Sequence, residues 1–376
     1  MLSKLRKAGL VILALIGIIF ISCFLAEAAL RILAPLFSPS LRVFIEIEAD
    51  GFRKSTQRVS RGCQIILEDK DFNRRFDIIA VGDSMVFGSL IGKEDTFTSI
   101  LNKESGLEVL NLWLPGYGPC DYNRMLDYML GRLNNPPSLV LYFIFADDIG
   151  SGKCEVVGCR YATVDNLFIK ESEYQANLGF KIRLIREKIF GRSILYQLFK
   201  RMLTFRQLQA GRYFHPIYSK NGNLEFLFAP VSYWEPYLDL KQKKVRVELG
   251  YMLDKIKSAS VMTEKAGSHL IVILMPFKEQ IYLPLFINEK LLPASVYVDF
   301  YNLTYDKLFS DIKKMGIQTI DLRPSFVRAA KENLKLFWSL DGHLTPDGHK
   351  VVARTLLDKL RGQTKNIAVI QSDVKK

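Results

Sequence analysis

The chain has 376 residues, 49% hydrophobic and 24% charged, so it can bury a domain-sized core and is not a disordered polyelectrolyte. With 52 Lys and Arg against 39 Asp and Glu, its formal charge of +13 favours anionic neighbours such as phospholipid, envelope phosphate or nucleic acid. The four histidines (His215, His269, His343, His349) have no zinc-type spacing with cysteines, and no P-loop, GxGxxG or zinc-finger pattern occurs. Metal chemistry is thereby limited, and no nucleic-acid partner is expected, because no recognised element would enter a groove.

In chain order, Lys4, Arg6 and Lys7 precede an uncharged run of 19 residues from Ala8 to Ala26. As a helix it would be about 28 Å long, close to the ~30 Å hydrocarbon core of a bilayer. Glu27 and Arg31 follow one turn apart, suited to the far interface. The basic flank comes first, so the N-terminus is expected in the cytoplasm and the body outside it, periplasmic or extracellular. Residues 1–35 are read as a cytoplasmic stub and an uncleaved single-pass anchor. Three alternatives stand beside that reading: a signal-peptidase site at Ala26-Glu27-Ala28, a lipoprotein site at Ser22-Cys23, and a buried core helix. Residues 36–75 read as a stem that docks on the body, with a short alternating run at Phe44–Glu48.

From residue 77 the pattern becomes strand–helix alternation. Asp77–Val81 is a short β-branched run ending in Gly82, read as a buried strand. Glu94–Asn102 reads as a helix, Glu108–Leu112 as a strand, Asp121–Leu133 as a helix and Ser138–Phe145 as a strand. Further strands are expected at His269–Met275 and Ile317–Leu322, and a closing helix at Thr345–Leu360, with a flexible tail over 363–376. Such alternation implies a doubly wound α/β fold on a parallel sheet. The core is assigned to 76–150 and 265–362, and residues 151–264 to an insertion. Within the insertion, Lys181–Arg206 carries eight Lys or Arg and one acid, Glu187, with apolar residues at near-helical spacing. This stretch has two readings: a helix lying on an anionic membrane next to the anchor, or one packed on the core with its basic face solvated. Cys154 and Cys159 flank a loop that a local disulfide could close, while Cys63 and Cys120 are left as either two free thiols or a second bridge.

In an open parallel sheet, ligands sit outside the carboxyl ends of the strands. Polar residues cluster at three such ends: Gly82-Asp83-Ser84, the Trp113–Gly118 stretch containing Gly116, and Ala146-Asp147-Asp148. Asp341-Gly342-His343 comes just before the last helix. A serine hydroxyl needs a histidine base, and the histidine needs a carboxylate to fix its tautomer and stabilise its charged form. Ser84, His343 and Asp341 supply one of each, and the Ser84 and Gly116 backbone N–H groups are candidate oxyanion donors. The structural alternatives are a helix cap for Ser84, a turn for Asp341 and a surface site for His343. Asp148 is expected to anchor a loop and His349 to pack or cap in the last helix.

Gly82-Asp83-Ser84-Met85-Val86-Phe87-Gly88, Asn111 through Gly118, Phe145–Asp148 and Asp341–His349 resemble, in order, the four blocks of the SGNH (GDSL) hydrolase superfamily, in particular its bacterial membrane-anchored members. The resemblance implies a three-layer α/β/α sandwich and an esterase or O-acyltransferase without cofactor, acting on an envelope carbohydrate or lipid ester. It places Asp147 with Ser84 and Gly116 in the oxyanion hole. Two departures stand out. Asp147 occupies the family's Asn position, where an ionised carboxylate would repel the developing charge. The terminal block reads Asp-x-His rather than Asp-x-x-His. Loss of catalysis at Asp147 would leave the rival reading, a tethered envelope-binding or assembly protein working through its basic insertion.

Overall fold

The computed structural model describes residues 75–88, 91–113, 118–151, 231–288, 299–338 and 342–373, with short pieces at 17–18, 21–26, 28–29, 73, 161–164, 167–170, 217–218, 225–226, 228–229 and 290. The Lys181–Arg206 stretch, almost all of the expected stem, Cys63, Cys154, Cys159, His215, Gly116 and Asp341 lie outside the described residues. Residues 17–18, 21–26 and 28–29 are helical, and Ile18, Ile21, Phe24 and Leu25 are exposed. Among the described residues no helix is long and apolar enough to cross a membrane; much of the expected anchor lies outside them. Cys120 is disulfide-bonded, which removes the free-thiol alternative for it, and Cys23 is a free, exposed thiol.

Five strands form one parallel sheet: β1 (Ile78–Gly82), β2 (Val109–Trp113), β3 (Leu139–Ile144), β8 (His269–Leu274) and β9 (Gln318–Asp321). Two small antiparallel hairpins, β4–β5 (Tyr161–Val164 with Leu167–Lys170) and β6–β7 (Ile217–Tyr218 with Glu225–Phe226), lie in sequence between β3 and β8. The spatial order of the large sheet is β2-β1-β3-β8-β9, so the order reverses between β1 and β3. Every residue of β1 and β3 is buried, the signature of a sheet covered on both faces.

The helices are α1 (Ser84–Phe87), α2 (Phe97–Ser105), α3 (Pro119–Leu130), α4 (Val231–Leu238), α5 (Lys243–Lys265), α6 (Lys278–Asn288), α7 (Phe300–Lys314), α8 (Arg323–Lys331) and α9 (Pro346–Asp373). Contacts link α3, α5 and α7 into one group, and α2, α9, α8 and α6 into another. All join one apolar core that contains strand residues such as Ile79, Leu141 and Ile273.

Two boundaries differ from the sequence reading. The end of the insertion, expected at 264, falls inside the core, because α5 is the crossover helix that a parallel β3-to-β8 connection requires. Its Val245, Leu249, Met252, Ile256 and Ala259 recur at three- and four-residue steps and are buried in that core. At the other end, α9 runs on to Asp373 through the residues expected to form a tail.

Candidate active site

β1 delivers its chain end at the position where the strand order reverses, where an open α/β sheet leaves a crevice. The turn into α1 is tight: a Cβ on Gly82 would stand 2.6 Å from Val86 Cγ2 and 3.0 Å from Phe143 Cβ. Asp83 caps α1, its Oδ1 accepting from the Met85 N–H at 2.9 Å. The cap role open to Ser84 in the sequence is therefore taken by its neighbour. Ser84 stands first in the helix, and its N–H, with no acceptor among the described residues, belongs to the helix N-terminal set that can bind a negative charge.

The Ser84 Oγ lies 2.8 Å from His343 Nε2 across 259 residues of sequence. When the imidazole carries its proton on Nδ1, the serine hydroxyl donates to Nε2, which is the geometry of a nucleophile and its base. His343 is held by a turn closed by an isolated bridge between Phe337 and Leu344 and by the Trp338 N–H donating to the His343 carbonyl at 3.0 Å. Asp341, the expected orienting carboxylate, lies two residues before it, outside the described residues. After the turn, Thr345 accepts from Gly348 N–H at 3.2 Å. His349 fixes the last helix from the other side: its Nδ1 accepts from Phe97 N–H at 3.2 Å and its ring stacks on Phe97. The packing role expected for His349 is what the structure shows. His269 is exposed at the start of β8, far along the strand from the chain ends that form the site.

Ser84 and His343 open into a cavity of about 270 Å³. Asp83 and Asp147 line it beside them, with Phe145, Tyr233, Trp234 and Phe277 forming an aromatic wall, and Lys278 and Glu279 among the remaining lining residues. Asp147, at the end of β3, does reach the same cavity as Ser84 and His343. Asp148 turns inward instead: Tyr122 Oη donates to its Oδ1 at 2.8 Å and Phe145 N–H to its Oδ2 at 2.8 Å, so it ties down the turn as expected. Asn111, in the second block, donates to the Val86 carbonyl at 2.8 Å and joins β2 to α1.

Burial dominates the electrostatics. It raises the Asp83 carboxyl to about 7, with Asp147 adding like-charge repulsion, while Met85 N–H and His343 pull the other way. Asp147 is raised by the same loss of solvation, opposed by backbone N–H groups and His343. Asp148 is raised well above the usual carboxylate range by burial and by its two acidic neighbours. The acids round the serine thus resist full ionisation, which softens the objection that a carboxylate at position 147 must repel an oxyanion. Among the described residues no group of His, Cys, Asp and Glu could hold a metal ion.

Lys278 and Glu279 were not singled out in the sequence, although the signal was there. They follow the apolar run of β8 by a few residues, at the same carboxyl edge that pointed to Ser84 and Asp147.

Residues 239–374, which include His343 but not Ser84, match the family profile described as SGNH hydrolase-like domain, acetyltransferase AlgX. Over that stretch the chain is thus similar to a family of enzymes that act on esters. No curated protein matches the chain. Solved structures that resemble it include a member of the lipolytic protein G-D-S-L family from Veillonella parvula DSM 2008. That structure is 10% identical, with 76% of this chain and 97% of the other covered and a TM-score of 0.39. Another is a catalytic mutant of the acetylxylan esterase Axe2 from Geobacillus stearothermophilus, 12% identical, with 77% of this chain and 95% of the other covered and a TM-score of 0.35.

Proposed function

We propose that this protein is a serine esterase or O-acyltransferase of the SGNH type, held to a membrane by its N-terminal segment and acting outside the cytoplasm on short acyl esters of an envelope carbohydrate or lipid. The observation that carries the chemistry is the 2.8 Å approach of Ser84 Oγ to His343 Nε2, both lining one cavity. Ser84 Oγ attacks the ester carbonyl as His343 Nε2 takes its proton. The tetrahedral oxyanion rests on the Ser84 N–H at the start of α1 and on the Gly116 N–H, with Asp147, in its protonated form, as a further donor. The carbonyl re-forms, the C–O bond to the leaving alkoxide breaks, and the imidazolium returns the proton to that oxygen. The acyl group on Ser84 then passes to water or to a sugar hydroxyl by the same steps in reverse. Asp341, two residues from the base, is assigned to orient it. Three features support the location: the basic flank and apolar run at the N-terminus, the exposed apolar residues Ile18, Ile21, Phe24 and Leu25, and the disulfide at Cys120.

Purified protein given an aryl acetate tests the reading. Turnover and fluorophosphonate labelling, both lost in Ser84→Ala, are expected. Equal rates in the two forms, or no turnover and no labelling in the wild type, would leave the binding-protein reading in its place.

A further inference from the structure

Two buried charged residues stand side by side on the wall of the cavity. Lys278 and Glu279 open α6 just beyond β8 and are 4% and 3% exposed. Lys278 Nζ donates to the Trp338 carbonyl at 3.2 Å. Trp338 in turn donates its N–H to the His343 carbonyl. The ammonium therefore grips the turn that carries the base, one residue-to-residue link from His343. The foot of that turn is anchored in the main core by Leu336, Phe337 and Leu344 and closed by the Phe337–Leu344 bridge, so the Lys278 bond acts on its Trp338–His343 end. Trp338 packs with Ile91 in a small cluster of its own, separate from the main core. Glu279 holds a different partner: its Oε1 accepts the Ala229 N–H at 2.6 Å. Ala229 lies two residues before α4, whose Trp234 packs on Phe277 with ring centroids 4.5 Å apart.

We infer that Lys278 and Glu279 are the positioning pair of this site, Lys278 holding the His343 turn against Ser84 and Glu279 holding the α4 aromatic wall against the cavity. Stability does not call for such a pair. Burying two charges can cost more solvation than their attraction returns, and apolar replacements of the same volume are often neutral or stabilising. A pair kept in that position, with each member bonded to a different wall, is explained by what it holds in place. The inference rests on the esterase reading above.

The test uses the full-length protein and an aryl acetate, with kcat and KM measured separately. Lys278→Met should lower kcat about 30- to 100-fold with KM within about twofold, since a displacement near 1 Å at the reacting groups costs on the order of 10²-fold. Fluorophosphonate labelling should slow in proportion. Lys278→Arg, which keeps a donor, should recover kcat to within about fivefold of wild type. Glu279→Leu, which removes the acceptor of the Ala229 N–H, should act in the other direction, raising KM about fivefold or more with kcat within about threefold. Where Lys278→Met leaves too little folded protein, Lys278→Met/Glu279→Gln removes both charges and should show the same kcat loss. A folded Lys278→Met or double variant with unchanged kcat, or a loss matched by the fraction unfolded, overturns the inference while leaving the esterase reading intact. A wild type with neither turnover nor labelling overturns that reading first.

Discussion

Asp83→Asn should make the protein more stable, and increasingly so as the pH rises. Asp83 is 7% exposed, and burial with the neighbouring Asp147 raises its carboxyl from 3.8 to about 7. Between those values the folded chain holds a proton that the unfolded chain has released. Stability then falls as pH rises, by ~1.4 kcal/mol for each pH unit. Below the lower value both states are protonated and nothing is lost; above the upper one the full cost, about 4 kcal/mol, is present. Asparagine carries no charge and keeps the Oδ1 that accepts from Met85 N–H. Its advantage over aspartate should therefore grow by about 2–3 kcal/mol between about pH 5 and about pH 8. Urea unfolding of both forms across that range measures the difference directly. An advantage that stays constant with pH, or that shrinks toward alkaline pH, would refute the reasoning that burial makes ionisation of Asp83 costly in the folded chain.

Asp147→Asn exchanges an acid for an amide that always donates. In the wild type the donor form is lost as pH rises through the raised Asp147 value, so the variant's kcat/KM should exceed wild type by about tenfold or more at alkaline pH and converge with it at acid pH, a single oxyanion donor being worth ~10²–10³. A pH–rate profile in an aryl acetate assay reads this; a variant slower at every pH would show that the carboxylate serves another purpose. Gly348→Ala would drive a methyl group into the Leu336 carbonyl and against the Leu344 side chain. It should cost about 1–3 kcal/mol, the range for overpacking in a well-filled interior, and lower the thermal midpoint with partial loss of turnover.

Much of this was legible in the sequence because the signals were local. The apolar, β-branched runs at Ile78–Val81, Leu139–Ile144 and Leu270–Leu274 can only be buried strands once flanked by helices on both faces, and the strand-end rule then put Ser84 and Asp147 at one edge. The pairing of Ser84 with His343 followed from the strand-end rule and the SGNH-like blocks, and the structure sets Ser84 Oγ 2.8 Å from His343 Nε2. What was missed depends on partners far away in sequence. The capping role of Asp83 shows only when the turn geometry is known. Lys278 and Glu279 look like ordinary solvated charges until Trp338 and Ala229 are seen against them. Lysines and acids spread along α5 blurred its apolar face, so a core helix read as the end of an insertion.

The wide separation of serine and imidazole along the polypeptide has a consequence for biosynthesis. On the proposed reading, a nascent chain has made Ser84 long before His343, and the two can meet only once the residues between them have folded. A product cut before residue 343 would then carry a Ser84 hydroxyl without its base, and one cut just after it would lack the bond in which His349 Nδ1 accepts from Phe97 N–H.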